Sequence, residues 1–179
     1  MPRRVKLVVL CEDAQHHSFA AAFLNRANLP TGGRPRYIPC DGKTKVLAAF
    51  PAEVRALLAS EAETHLLVLV DADGDTLEHN IEALLGTLDA EMRARISEND
   101  RWLAICPNWE IENWIRHLEG KPVTEELRPQ LALTQPSECR DVARTLADQC
   151  RARRMPKNPL PSLEGACTAW RAYLERHDL

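Results

Sequence analysis

The stretch His65-Leu66-Leu67-Val68-Leu69-Val70-Asp71-Ala72-Asp73-Gly74-Asp75 decides the fold. Leu66–Val70 is a continuous apolar run of strand length, which fits a strand buried on both faces, as in a parallel sheet. Carboxylates follow at once. Asp71 and Asp73 stand two apart, so they point the same way while the chain stays extended. Gly74 then permits a sharp turn, and a helical pattern begins at Thr76. A buried strand that runs through acids into a helix is a βα unit.

The same rhythm extends in both directions. Upstream, Val5–Cys11 reads as a second buried strand, His16–Ala27 as a helix, Arg36–Cys40 as a short strand and Lys43–Ala59 as a helix that restarts at Pro51. Downstream, Thr76–Ile96 reads as one long amphipathic helix with Leu77, Ile81, Leu84, Leu85, Leu88 and Met92 inward. Arg101–Cys106 is a fourth strand, and Trp109–Leu118 a helix with Trp114 in its core stripe. This alternation predicts an α/β fold with a parallel sheet of about four strands flanked by helices. Residues 121–136, with three prolines, read as an irregular connector. Ser137–Arg153 and Ser162–His177 read as helices, so residues 1–120 form an α/β domain and 121–179 a small helical extension.

Composition bounds the function. The chain has 179 residues, 45% apolar and 27% charged, which suits a globular protein with its own core. Its net charge of -3 excludes a strongly basic, histone-like binder. No run approaches the roughly 18 apolar residues that span a bilayer. Met1-Pro2-Arg3-Arg4 opens no signal-type segment, so a cytoplasmic protein with no membrane contact is expected. The six cysteines form no CxxC pair and read as reduced, mostly buried thiols.

Carboxylates leave three of the four expected strands. Glu12 and Asp13 follow the first, Asp71, Asp73 and Asp75 the third, and Glu110 and Glu112 the fourth. Right-handed crossovers would gather them on one edge, where ligands of open α/β sheets bind. Carboxylates so gathered raise one another's pKa, and a divalent cation with oxygen ligands relieves the repulsion. The Asp71–Asp75 run is not an EF-hand loop: Gly74 precedes the third aspartate, and a strand rather than a helix leads in. Gly42-Lys43-Thr44 lacks the upstream glycine of a P-loop, with Tyr37 in its place.

Val-Leu-Cys-Glu12, Asp71-Ala-Asp73 and Pro-Asn-Trp-Glu110-Ile-Glu112-Asn-Trp114-Ile, in that order, resemble the Toprim domain over residues 4–120. The third motif looks like the E-x-W segment of small Toprim-like proteins in bacterial phage-defence systems. Glu112 matches it better than its neighbour Glu110. The resemblance implies an Mg²⁺- or Mn²⁺-dependent nuclease acting on DNA or RNA, working beside an ATPase partner or as a homo-oligomer. It places Glu12, Asp71 and Asp73 on the metal, with Glu112 or Glu110 completing a second site. Asp13 stands where many family members have glycine, which points to a different loop path or an added ligand.

Other candidates complete the expectation. Lys43 and Lys45 follow the second strand and would stabilise charge on a phosphate during reaction. His16 and His17 open the first helix close to Glu12, where they would position water, touch phosphate, or cap the helix. Residues 1–120 hold 13 basic and 18 acidic residues, whereas 121–179 hold 10 and 8. Within the second stretch, Arg151, Arg153, Arg154 and Lys157 form the densest basic cluster, a nucleic-acid contact or a solvated helix end. The rival to an enzyme is a non-catalytic interaction module that presents the acidic edge to a partner.

Overall fold

The computed structural model describes residues 5–128 and 135–179. Met1-Pro2-Arg3-Arg4 and residues 129–134 of the expected connector lie outside the described residues. In chain order the elements are β1 (Lys6–Cys11), α1 (Ala14–Ala27), β2 (Arg36–Pro39), α2 (Lys43–Ala59), β3 (Thr64–Leu69), α3 (Leu77–Leu85), α4 (Ala90–Ser97), β4 (Trp102–Ile105), α5 (Ile111–Leu118), α6 (Cys139–Ala152) and α7 (Pro161–His177). The four strands form one all-parallel sheet in the order β2-β1-β3-β4. This is the α/β architecture expected from the alternating pattern.

That order explains where the helices go. The chain moves outward from β1 to β2, then returns past β1 to β3 and on to β4. Right-handed crossovers in opposite directions put their helices on opposite faces. Side chains alternate accordingly along each strand. Leu7, Val9 and Cys11 of β1 and Leu67 and Leu69 of β3 join one core with residues of α1, α5, α6 and α7. Leu10, Leu66 and Val68 face the other way and join Phe50 and Val54 of α2, Leu84 of α3 and Ile96 of α4.

Helices α6 and α7, from the stretch the sequence sets apart as 121–179, pack into the first core. Leu146, Leu163, Trp170 and Tyr173 lie there with Phe19 and Trp114. Trp114 is buried, as its place on the stripe predicts. Cys150 and Cys167 correct the expectation of thiols throughout: they form a disulfide between α6 and α7, with Cα atoms 5.4 Å apart. Cys11, Cys40, Cys106 and Cys139 are free thiols.

Three helices differ from their sequence reading. The expected helix Thr76–Ile96 is two helices. After α3, the Thr87 hydroxyl bonds back to the Leu84 carbonyl at 2.7 Å, and Asp89 caps α4 by accepting the Met92 N–H at 2.8 Å. Leu77, expected inward, is 39% exposed at the first turn of α3. α2 does not restart at Pro51 but runs through it. α5 begins at Ile111 rather than Trp109: Glu110 is its extended N-cap residue, and Trp109 has φ +62°.

No helix among the described residues is long and apolar enough to cross a membrane.

Candidate metal centre

The strand order places a topological switch point between β1 and β3, since their connections leave in opposite directions. Crevices at such points, outside the carboxyl ends of the strands, are where open α/β sheets bind ligands. Cys11 and Leu69 end the two strands in register. Hydrogen bonding continues past them: Glu12 N–H donates to the Leu69 carbonyl at 3.1 Å, Gly42 N–H to the Glu12 carbonyl at 2.8 Å and Ala72 N–H to the Pro107 carbonyl at 2.8 Å. The loops after all four strands are thus tied together at one edge.

Glu12 and Asp71 meet there. The Glu12 carboxylate accepts the Asp71 backbone N–H at 2.9 Å. Burial pushes the Glu12 carboxyl up, and the Asp71 and Asp73 charges push it further, against the N–H bond and the nearby His16. Burial likewise raises Asp71, opposed by its bond from His16 and reinforced by Asp13 and Asp73. Glu112, in the first turn of α5, is 5% exposed. Its carboxyl is raised by burial and by the charge on Asp71, against its own backbone N–H. Three carboxyls withdrawn from water, one half-buried and two buried, share this edge, and the Asp71 charge disfavours ionisation of the other two.

His16 is the residue whose role the sequence reading underestimates. It is fully buried and bridges two acids: Nδ1 lies 2.8 Å from Asp13 Oδ1, and Nε2 lies 2.9 Å from Asp71 Oδ1. Burial alone would lower its pKa, but the two carboxylates outweigh it and push the imidazole up to about 10. His16 is therefore an imidazolium counter-ion at neutral pH. Asp13 takes the capping role, accepting the His16 N–H at 2.9 Å, so its carboxylate is committed to α1 and to His16. The signal was present in the spacing: a cap at Asp13 puts His16 in the first turn, facing the sheet.

The other candidates separate. Lys43, first residue of α2, reaches Asp73 with Nζ 3.0 Å from Oδ2 and so joins the edge. Lys45 instead pairs at 2.6 Å with the exposed Asp41. Glu110 precedes α5 as its N-cap residue and pairs at 3.1 Å with Arg128. Asp73 has φ +54°, and Gly74, at φ +84°, lies directly beneath the Trp109 ring. His17 stacks obliquely on Tyr37, ring centroids 4.8 Å apart. Cys106 lies within reach of the Asp71 and Glu12 charges, but burial pushes its thiol up to about 12, which leaves it neutral.

Arg151, Arg153 and Arg154 are at the far end of α6. Ser18 near the start of α1 bonds to the Pro136 carbonyl, and Arg26 near its end pairs with Asp148 at 2.7 Å, so α6 runs parallel to α1. Both helices start at the acidic edge. Arg151 donates to the Arg26 carbonyl at 2.7 Å and Arg153 pairs with Glu175 at 2.7 Å. Lys157 lies beyond them, beside His117 and Lys121.

The donor set suits a divalent cation. Ligand atoms of Glu12, His16 and Asp71 all lie within 4.8 Å of one another. Both His16 nitrogens are engaged by carboxylates, so the donors left to a cation are the Glu12 and Asp71 oxygens, which suit hard ions such as Mg²⁺ and Mn²⁺.

Searches of the chain against protein-family models, curated proteins and solved structures found no match.

Proposed function

We propose that this protein is an Mg²⁺- or Mn²⁺-dependent nuclease that hydrolyses phosphodiester bonds of DNA or RNA. The observation that carries the reading is the meeting of Glu12, Asp71 and Glu112 at the switch point. Glu12 is half-buried and Asp71 and Glu112 are buried; burial raises all three carboxyls, and the charge on Asp71 raises Glu12 and Glu112 further. Caps alone do not call for acids withdrawn from water at a ligand-binding crevice; a bound cation offsets that cost.

Glu12 and Asp71 would hold the metal, with Asp73 and Glu112 beside them. When bound, the metal supplies Lewis acidity and a hydroxide nucleophile near neutral pH. His16 fixes Oδ1 of Asp71 at 2.9 Å and so orients the carboxylate that would meet the metal. Lys43, held by Asp73, places an ammonium where charge gathers on the phosphate in the transition state. Asp13 keeps His16 in its tautomer-independent, doubly protonated form. The Toprim resemblance of the motifs at Glu12, Asp71-Ala72-Asp73 and Glu112 supports the same chemistry, and extends the proposal to a phage-defence effector acting with an ATPase partner.

The test is cleavage of labelled DNA and RNA in Mg²⁺ or Mn²⁺. Wild-type protein should cut one of them, and Glu12→Gln should lower turnover by orders of magnitude while keeping the fold. Absence of cleavage by the wild type, with a cognate partner present, would instead favour an interaction module.

A further inference from the structure

The structure points to a second element of such a site, a binding track for the nucleic-acid backbone. We propose that the groove between α1 and α6 holds the phosphodiester chain and leads it to the acidic edge. The proposal rests on the nuclease reading only for what happens at the end of the track.

Topology makes the first argument. An acidic edge repels a polyanion, so cations must lie close beside it. The cluster at Arg151, Arg153 and Arg154 sits at the C-terminal end of α6. A helix of 14 residues puts about 21 Å between its ends. Two of the three arginines there are also engaged, by the Arg26 carbonyl and by Glu175. Lys43 at the edge is already paired with Asp73, and further cations stand at the other end of the same helix, Arg140 and Arg144.

The groove itself makes the second. A cavity of about 380 Å³ opens between α1 and the first half of α6. Its floor is small, with Ala14 and Ala21, and its walls carry His17, Ser18, Arg140 and Arg144. Ala14, the first residue of α1, lines the groove, so one end of the groove lies two residues along the chain from Glu12. Arg140 and Arg144 stand one turn apart on one helix face, about 6 Å along the axis. This is of the order of the step between neighbouring phosphates.

Charge makes the third. Arg140 forms no ion pair among the described residues. Arg144 pairs with Asp141 at 3.0 Å, but that aspartate is 93% exposed, and such surface pairs are exchanged for a phosphate at little cost. The nearby acids are committed elsewhere: Asp13 to His16, and Glu138 to the Gln135 N–H at 2.8 Å. His17, braced on Tyr37, adds a ring at the mouth of the groove on which a base can stack.

The test is fluorescence anisotropy of a labelled oligonucleotide across a salt series, in Ca²⁺ so that binding is read without cutting. The variant Arg140→Gln with Arg144→Gln is compared with Arg153→Gln and Arg154→Gln. Each lost phosphate contact flattens the log–log salt slope by about 0.7 to 0.9, so the groove variant should flatten it by roughly 1.5 and the far-end variant should leave it unchanged. Circular dichroism and the melting temperature establish that both variants are folded. A groove-dependent slope in a protein that cuts nothing keeps the track and removes the nuclease. Cleavage by wild type with an unchanged slope in the groove variant removes the track and keeps the nuclease. A slope that responds only to the far-end variant, or no oligonucleotide binding by wild type, overturns the track.

Discussion

His16 Nε2 stands 2.9 Å from Asp71 Oδ1, across 55 residues of chain, and ties the first turn of α1 to the end of β3. The imidazolium replaces part of the positive charge that the buried carboxylates lack without a metal. Its pKa is raised in the folded state to about 10, from about 6.5 when unfolded. A base raised in this way contributes stability that is complete below the unfolded value and is lost as pH rises through the folded one.

Metal-free protein should therefore lose stability between about pH 6.5 and pH 10, on the order of a few kcal/mol. His16→Gln should be less stable at pH 6.5 and show a flatter profile over that window. Urea midpoints in EDTA at several pH values measure both. Parallel profiles for the two proteins would show that His16 carries no charge at neutral pH.

Trp109 covers Gly74 so closely that a Cβ there would lie 2.3 Å from Cη2. Trp109 also accepts the Asp73 N–H with its carbonyl, at 3.3 Å, so this residue shapes the Asp71–Gly74 loop twice over. Gly74→Ala should cost about 2–4 kcal/mol, from the clash and from the left-handed backbone. In a Trp109→Ala background the clash is gone, and the same change should cost about 1 kcal/mol. Denaturant unfolding of the four proteins gives the coupling, and additive effects would contradict it.

His65 sits at the opposite end of β3, fully buried, with Nδ1 2.6 Å from the Tyr173 hydroxyl and its ring edge-on to His177 at 4.8 Å. Burial and the neighbouring His177 lower its pKa, against Glu63. A histidine lowered in the fold contributes stability that is present above its unfolded value, about 6.5, and lost as pH falls. Melting temperature should drop from pH 7 to pH 5 more steeply in wild type than in His65→Gln. An equal drop in both would assign the acid sensitivity to other groups.

Much of the fold was legible because its two central strands are buried on both faces. Leu66–Val70 and Val5–Cys11 carry a composition that suits a parallel sheet, and the acids that follow them mark the strand ends. What the pattern does not contain is strand order, which makes Glu12 and Asp71 neighbours at a switch point. The choice between Glu110 and Glu112 turned on a helix boundary. Moving the start of α5 from Trp109 to Ile111 makes Glu110 its N-cap residue, and no local propensity decides two residues. The break between α3 and α4 had a cap signal at Asp89, masked by an apolar stripe that continues past it. The charge of Arg151–Lys157 was plain, but its distance from the acids depends on the direction in which α6 packs on α1. That is set by tertiary contacts such as Arg26 with Asp148.

Mn²⁺ titration followed by calorimetry and electron paramagnetic resonance tests most directly whether Glu12, Asp71, Asp73 and Glu112 form a divalent-cation site. Wild-type protein should bind at least one Mn²⁺. Asp71→Asn with Asp73→Asn should abolish binding while circular dichroism shows the fold retained, since relief of like-charge repulsion is set against loss of the His16–Asp71 and Lys43–Asp73 pairs. Wild-type protein that takes up no Mn²⁺, or a double variant that binds it as the wild type does, would contradict such a site.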